Sequence, residues 1–293
     1  MARDVSETLN VYDHTVNHLK AVAISRFSWQ NLPDEIDEFF MEKIIVENGC
    51  GIFTFDEVVE EYLALRLGGN YGFNVYNIPF YRECFAANGC YYTKSAKDSI
   101  VIFNNVLRQS DMGVIYAAAE RIANMQRTMD VNIGVQKTPF AVVADEDTAL
   151  TVNNMYLQII DNKLEVNIIK KKKESKLKEL LESIKVLNFN APFIADKVRE
   201  EKEAEWNRAL CLLGIPVIQR NKKERYINSE LSGELAEAKA FLLSAMKPRI
   251  KACKQINKMF GLNVSVELDP EIEKYISGGI YGNDTATNNL PTT

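Results

Sequence analysis

Residues 192–214 read PFIADKVREEKEAEWNRALCLLG, and what this stretch packs against decides the fold. Asn190 is placed to cap a helix, Pro192 is tolerated in its first turn, and Gly214 with Pro216 beyond it stops the run. At 1.5 Å per residue the helix is roughly 33 Å long. Its apolar residues, Ile194, Val198, Trp206, Leu210 and Leu213, make only a narrow stripe that breaks at Glu201 and Lys202. Asp196, Lys197, Arg199, Glu200, Glu203, Glu205 and Arg208 cover the rest. So polar a helix either bridges solvent in a monomer, knitted by pairs such as Lys197 with Glu201, or packs beside neighbours through polar contacts. On pattern alone both readings stay open.

Another long helix lies upstream. Ile115, Ala118, Ile122, Met125, Met129 and Ile133 recur at helical spacing between Met112 and Gln136, and Thr138-Pro139 ends the run. Between the two helices, FAVVAD (140–145) and LEVNII (164–169) predict strands, and MYLQII (155–160) allows a helical stretch between them. A cluster of lysines follows, Lys170, Lys171, Lys172, Lys173, Lys176 and Lys178, leading an amphipathic helix SKLKELLESIKVL (175–187). Two long helices therefore bracket a small α/β unit.

Further out, residues 5–29 carry a loose helical pattern, and NLPDEIDEFFMEKIIVENGCG (31–51) predicts a helix with acidic residues in its first turn and Gly49 past its end. From Gly51 to Asn105 the chain is rich in Tyr, Phe and Val with Gly and Asn between, which predicts short-turned strands. After Gly214 come a polar loop, RNKKERYINSELSGE (220–234), a helical region to Phe260 interrupted at Pro248, and a strand NVSVEL (263–268). From Ser277 the tail has no apolar periodicity and is expected to be disordered. The fold class is α+β, mainly α.

Composition bounds the function. With 293 residues, 46% hydrophobic and 26% charged, the chain can bury the core of one large or two modest units. No apolar run approaches the roughly 20 residues of a membrane helix. The polar amino terminus lacks the order of a secretory signal, which predicts a protein that stays in the cytoplasm that made it. Cys50, Cys84, Cys90, Cys211 and Cys253 are scattered without a CxxC pair and read as reduced; Cys90, Cys211 and Cys253 sit in apolar settings that suggest burial.

Enzyme signals are weak throughout the sequence. There is no GxxxxGK[ST] phosphate loop, and LGGNYG (67–72) does not open a helix. His14 and His18 have the spacing of a helical metal pair but no third ligand, and read as surface residues. No catalytic residue, metal site or cofactor is predicted.

Long segments of the chain resemble upper collar proteins, the head–tail connector or portal proteins of small podoviruses with short non-contractile tails. NLPDEIDEFFMEKIIVENGCGIF, DMGVIY, VQKTPFAVVADEDTALTVNNMYLQI, NAPFIADKVREEKEAEWNRALCLLGI, KKER and RIKACKQINKMFGLNVSV occur in family order, over roughly residues 25 to 266. The resemblance implies a portal-type fold and a ring of about twelve identical subunits at one head vertex. Double-stranded DNA would pass through it during packaging and ejection, driven by a separate packaging ATPase. It further implies major capsid, scaffold and lower collar or tail proteins as partners, a place in the virion, and no membrane.

On that plan residues 1–111 and 237–276 form a wing, 112–136 and 190–214 are stem helices, 137–189 a clip at the narrow end, 215–236 a channel loop and 277–293 a disordered tail. Candidate DNA contacts on the stem are Lys197, Arg199, Lys202 and Arg208; in the channel loop they are Lys222, Lys223 and Arg225. The lysine cluster 170–178 would meet the motor or DNA at the narrow end; as a bland alternative it is a solvated charge run. This segment looks longer than its family counterpart, and INSELSGELAEA departs from the family loop. Packaging RNA is not carried over, because only Arg3 is basic among the first nineteen residues. A tail or collar adaptor ring with a purely structural role, or an enzyme of unknown type, are the other readings.

Overall fold

The Tyr-, Phe- and Val-rich segment expected to form strands folds into a five-stranded antiparallel sheet. A computed structural model of the protein describes residues 2–137, 140–143, 185–188, 192–215, 228–270 and 272. The chain divides into two compact units, Met1–Tyr12 with Arg121–Glu205, and Asp13–Glu120 with Trp206–Thr293.

Helix α1 (Ala2–Ile24), which enters the second of these units at Asp13, gives way to strand β1 (Phe27–Gln30), so the helical pattern expected through residue 29 stops earlier. Phe27, Ser28, Trp29 and Gln30 pair antiparallel with strand β9 (Ser265–Leu268) at the far end of the sequence. Helix α2 (Glu38–Asn48) begins where Asp37 accepts from the Phe40 N–H (3.2 Å) and ends at Gly49. Strands β2 (Cys50–Asp56), β3 (Glu61–Phe73), β4 (Pro79–Phe85), β5 (Tyr91–Ser95) and β6 (Ser99–Phe103) follow, in sheet order β5-β4-β3-β2-β6. Alternation sends Phe53 and Ile102 to one face of β2 and β6, and Ile52 and Val101 to the other. Both faces are buried, the first in the main core with Trp29, Met41, Ile45, Leu242 and Ile256, the second in a smaller cluster with Leu65 and Cys84.

The LGGNYG stretch proves to be a sheet device. The register of β3 against β4 shifts between Leu67 and Gly69, and a Cβ at Gly68 would lie 2.1 Å from the Phe85 ring. The glycine leaves room for that ring to lie on the bulge.

Helices α3 (Met112–Lys137) and α4 (Ala195–Leu212) run through both units of the chain. Helix α5 (Asn228–Phe260) starts inside the segment expected to be loop, and it continues through Pro248, where an interruption was expected. Proline removes one helix N–H and orphans a carbonyl one turn back. Here that carbonyl, on Ser244, accepts from the backbone N–H of Val106 (3.2 Å), so the helix runs on with this carbonyl paired.

Two buried arginines hold this unit together. Arg249, on α5, donates to Glu42 from Nε (2.9 Å) and Nη2 (2.8 Å), to the Asn104 and Ala245 carbonyls from Nη1 (2.7 and 2.8 Å), and to Asn104 Oδ1 from Nη2 (3.1 Å). Glu42 also accepts from Trp29 Nε1 (2.7 Å). Arg26 donates to the Ala23 and Leu213 carbonyls (2.8 and 2.7 Å) and pairs with Asp111 just ahead of α3. Burial lowers its pKa from the ordinary value, and Asp111 works against that shift.

Strand β7 (Phe140–Val143) pairs antiparallel with β8 (Lys185–Asn188). The amphipathic helix expected over 175–187 therefore cannot include its last residues, whose backbone groups are taken by β7. The rest of that expected helix, the strand at 164–169, the helical stretch at 155–160 and the tail from Ser277 lie outside the described residues.

His14 and His18 are exposed, as the sequence suggests. Cys84 and Cys253 are buried and Cys211 half-buried, but Cys90, expected inside, is exposed in the turn between β4 and β5. Among the described residues no helix is long and apolar enough to cross a membrane.

Two outcomes follow from this packing. Glu42→Gln leaves the Arg249 charge buried against a neutral amide and should cost about 3 kcal/mol, read as a lower urea midpoint. Glu42→Leu combined with Arg249→Met should lose less than either single change. For the thiols, burial pushes Cys50, Cys84 and Cys253 up to about 11. Cys90 should therefore react first with a maleimide at neutral pH. Mass spectrometry of the labelled chain checks the order, and Cys90→Ser should remove the fast phase.

Candidate functional site

The polar helix that opened the problem is packed, not bare. Ala195, Val198, Lys202, Glu205 and Ala209 recur at spacings of three and four and form its covered face, each buried or half-buried. Two of the five carry charge, and each has a partner on α3: Lys202 Nζ donates to Gln126 Oε1 (2.7 Å), and Glu205 pairs with Arg121. Further along, Asn132 closes the pair, with its Nδ2 donating to the Pro192 carbonyl (2.9 Å) and its Oδ1 accepting from the Ile194 N–H (3.0 Å). The contacts run 121 to 205, 126 to 202 and 132 to 192–194, so the two helices are antiparallel.

This corrects the expected start of α4. Regular helix begins at Ala195, past the Asn190 cap and Pro192 first turn read from the sequence. A cap borrowed from α3 does the work, satisfying the N–H of half-buried Ile194 with a side-chain carbonyl. The other end matches expectation: Gly214 N–H donates to the Cys211 carbonyl and Ile215 N–H to the Leu210 carbonyl (both 2.8 Å), with Gly214 at φ 82°. A Cβ there would also sit 2.7 Å from the Leu242 backbone nitrogen, so this glycine is required by α5 as well as by the turn.

Of the stem cations singled out in the sequence, Lys202 is committed to α3 through Gln126. Lys197, Arg199 and Arg208 are exposed. They do not share a face. Lys197 and Arg208 are separated by about three turns plus 20°, which aligns them with Glu201 and Ala204, whereas Arg199 points about 200° away. Arg199 lies 3.4 Å from Asp196, a pair with both side chains well exposed. The usable ridge on α4 is therefore Lys197, Glu201, Ala204 and Arg208, all exposed.

On α3, Ile115, Ala118 and Ile122 are buried and Met125 and Met129 half-buried, but Ile133, expected on the same stripe, is 40% exposed. Val131 and Phe193 are more exposed still, at 58% and 56%, so this end of the helix pair presents apolar surface. Lys170, Lys171, Lys172, Lys173, Lys176 and Lys178, and Lys222, Lys223 and Arg225, lie outside the described residues. Sequence reasoning missed the clamp of Arg121, Gln126, Asn132 and Glu205; only the interruption of the apolar stripe at Lys202 hinted at it.

Among the described residues no group of three His, Cys, Asp or Glu could hold a metal ion. The site is a helix pair with a charged ridge, suited to contact.

Residues 4–273 match the model of the family described as Phage Connector (GP10). A chain of the solved assembly "Portal and tail of native bacteriophage P68" is similar over 96% of this chain and 96% of its own length, at 16% identity and a TM-score of 0.48. The chain belongs to the phage connector family, and so is a head–tail connector, a virion component that works as an oligomeric assembly with head and tail proteins.

Asn132→Ala removes both hydrogen bonds at the start of α4 and is expected to cost about 1 kcal/mol. Hydrogen exchange of the Ile194 to Val198 amides should quicken, and unchanged exchange would remove Asn132 as the cap.

Proposed function

We propose that this connector forms a closed ring of about twelve copies at one vertex of the phage head, and that double-stranded DNA passes through the ring during packaging and ejection. The pair α3 and α4 forms the stem around the channel. Residues 137–189 form the narrow end, 1–111 and 237–276 the wing, and the segment from residue 215 to the start of α5 a loop at the channel wall. A separate ATPase supplies the force, major capsid and scaffold proteins meet the wing, and lower collar or tail proteins attach at the narrow end. Assembly takes place in the host cytoplasm.

The observation that carries this reading is the ridge on α4. In a monomer, a helix pair stapled by Arg121–Glu205 and Lys202–Gln126 would gain nothing from leaving Val131, Ile133 and Phe193 in water at one end. Neighbouring copies packed side by side would cover that apolar surface while one ridge stays wet. The ridge alternates in sign, with Glu201 between Lys197 and Arg208. Such a surface touches phosphates without accumulating the counterion-release affinity that would hold DNA in place. Net charge points the same way, because about twelve copies of a chain at −5 carry roughly −60.

Within this frame Lys197 and Arg208 are the stem residues that meet DNA, Arg199 faces a neighbour or solvent, and Lys202 is structural. The lysines from Lys170 to Lys178 guide the duplex or the motor at the narrow end, and Lys222, Lys223 and Arg225 touch DNA from the loop.

Native mass spectrometry with two-dimensional class averages tests the ring, which should be closed and open enough for a duplex about 20 Å wide. Lys197→Glu with Arg208→Glu should leave rings intact and slow packaging at least about tenfold, while Lys202→Met should leave the packaging rate unchanged. Normal packaging by the charge-reversed rings would remove the ridge from the channel.

A further inference from the structure

A cavity of about 440 Å³ opens beside β4, β6 and α5. Its apolar wall includes Ile100, Val101 and Phe103 of β6 and Pro248 of α5. Four cations also line it, Arg82, Arg108, Lys247 and Lys251, and among the described residues no Asp or Glu does. Among the described residues none of the four has a carboxylate within ion-pair distance.

Arg82 is the deepest, at 3% exposed. Its Nε donates to the Pro79 carbonyl (3.2 Å), and its Nη1 to the carbonyl (2.6 Å) and hydroxyl (2.7 Å) of Ser99. That leaves Nη2 without a partner among the described residues. It is not sealed in, since among the described residues no buried side-chain nitrogen or oxygen lacks a hydrogen bond; its donors are left for the cavity that Arg82 lines. Burial pulls this guanidinium below its ordinary pKa, and the nearby Cys84 and Asp98 oppose the shift. Arg82 is a cation short of counter-charge.

The other three cations stand around it. Arg108 is fixed by bonds from Nη1 to the Tyr76 and Asn77 carbonyls (3.1 and 3.2 Å), with its guanidinium 4.9 Å from the Phe103 ring centroid. Lys247 and Lys251 are exposed one turn apart on α5, an arrangement of like charges that disfavours a helix unless an anion lies between them.

We infer that this cavity is an oxyanion site, in which Arg82 Nη2 meets a phosphate or carboxylate at the floor and Arg108, Lys247 and Lys251 neutralise it at the mouth. The floor lies deep, so the group that reaches it is slim: a free phosphate-class ion, or a single acidic side chain carried by a partner protein. The face of a duplex cannot reach Arg82. The site rests on the cavity alone and does not depend on the ring or its channel.

Titration calorimetry on the full chain, once with pyrophosphate and once with a short polyglutamate peptide, tests the assignment. Saturable binding of either probe is expected, weakened at least about tenfold in Lys247→Gln with Lys251→Gln, a variant whose changes are confined to exposed side chains and whose fold a thermal melt verifies. Arg82→Gln should abolish binding where it folds. Pyrophosphate bound more tightly identifies a free ion as the ligand, and the peptide bound more tightly identifies a partner's carboxylate. Failure of both probes, or equal binding by the wild type and the double-lysine variant, overturns the site.

Discussion

The fold hangs on one guanidinium. Arg249 is fully buried, and all five of its N–H groups are used, by Glu42, Asn104 and the Ala245 carbonyl. Taking an ion pair out of water costs several kcal/mol per charge, and the cost is met only when every donor and acceptor is filled. That condition fixes α2, the segment after β6 and the middle of α5 against one another within hydrogen-bond tolerance. It also settles β1, because Trp29 donates to the same carboxylate and the Phe27 ring lies 4.3 Å under Arg249. Arg26 stands on that ring too, at 5.5 Å, and feels Arg249 as a like charge. The two cations can share the neighbourhood only because Glu42 answers one and Asp111 the other. The ends of α1 and α4 and the start of α3 are thus tied to the same centre.

This explains which parts of the fold were legible in the sequence. Elements whose stability is local or periodic read correctly. Helix α2 announced itself through its acidic first turn and Gly49, α3 through its three-and-four spacing, and the sheet through its aromatic and branched residues with turn formers between. Where a distant partner overrides a local signal, the reading failed. Pro248 looks like a stop, and it would be one if Val106 did not bring an N–H to the Ser244 carbonyl from more than a hundred residues away. Arg26 and Arg249 look like surface residues, since no pattern along the chain marks a cation whose counter-charge arrives by folding. Residues 27–29 continue a loose helical pattern, yet they pair with β9, whose residues are 236 or more positions further on.

The helix pair was half-legible for a related reason. The sequence made plain that α4 is too polar for an ordinary core, but its buried face was expected among its apolar residues. The covered positions instead include Lys202 and Glu205, which are apolar along their stems and satisfied at their tips by Gln126 and Arg121. Charge therefore could not distinguish a packed residue from a wet one. Helical phase could: it separates Lys197 and Arg208 from Arg199, a distinction available from spacing once the covered face is known.

A general constraint on cations in this chain comes out of these cases. The chain is acidic overall, and several of its most precisely placed positive charges are committed to the architecture: Arg26 and Arg249 buried in one unit, Lys202 half-buried between two helices. Counting Lys and Arg therefore overstates what is available to a phosphate backbone. What remains on the α4 ridge is sparse, with one carboxylate, Glu201, between Lys197 and Arg208, a distribution that suits the proposed passage of a polyanion. The cavity of Arg82 differs in kind. Four cations line it on a wall with apolar residues and, among the described residues, no carboxylate does, a grouping that suits the proposed holding of an anion. What separates the two arrangements is geometry, since neither the number nor the type of the chain's basic residues distinguishes a sparse ridge from a lined cavity.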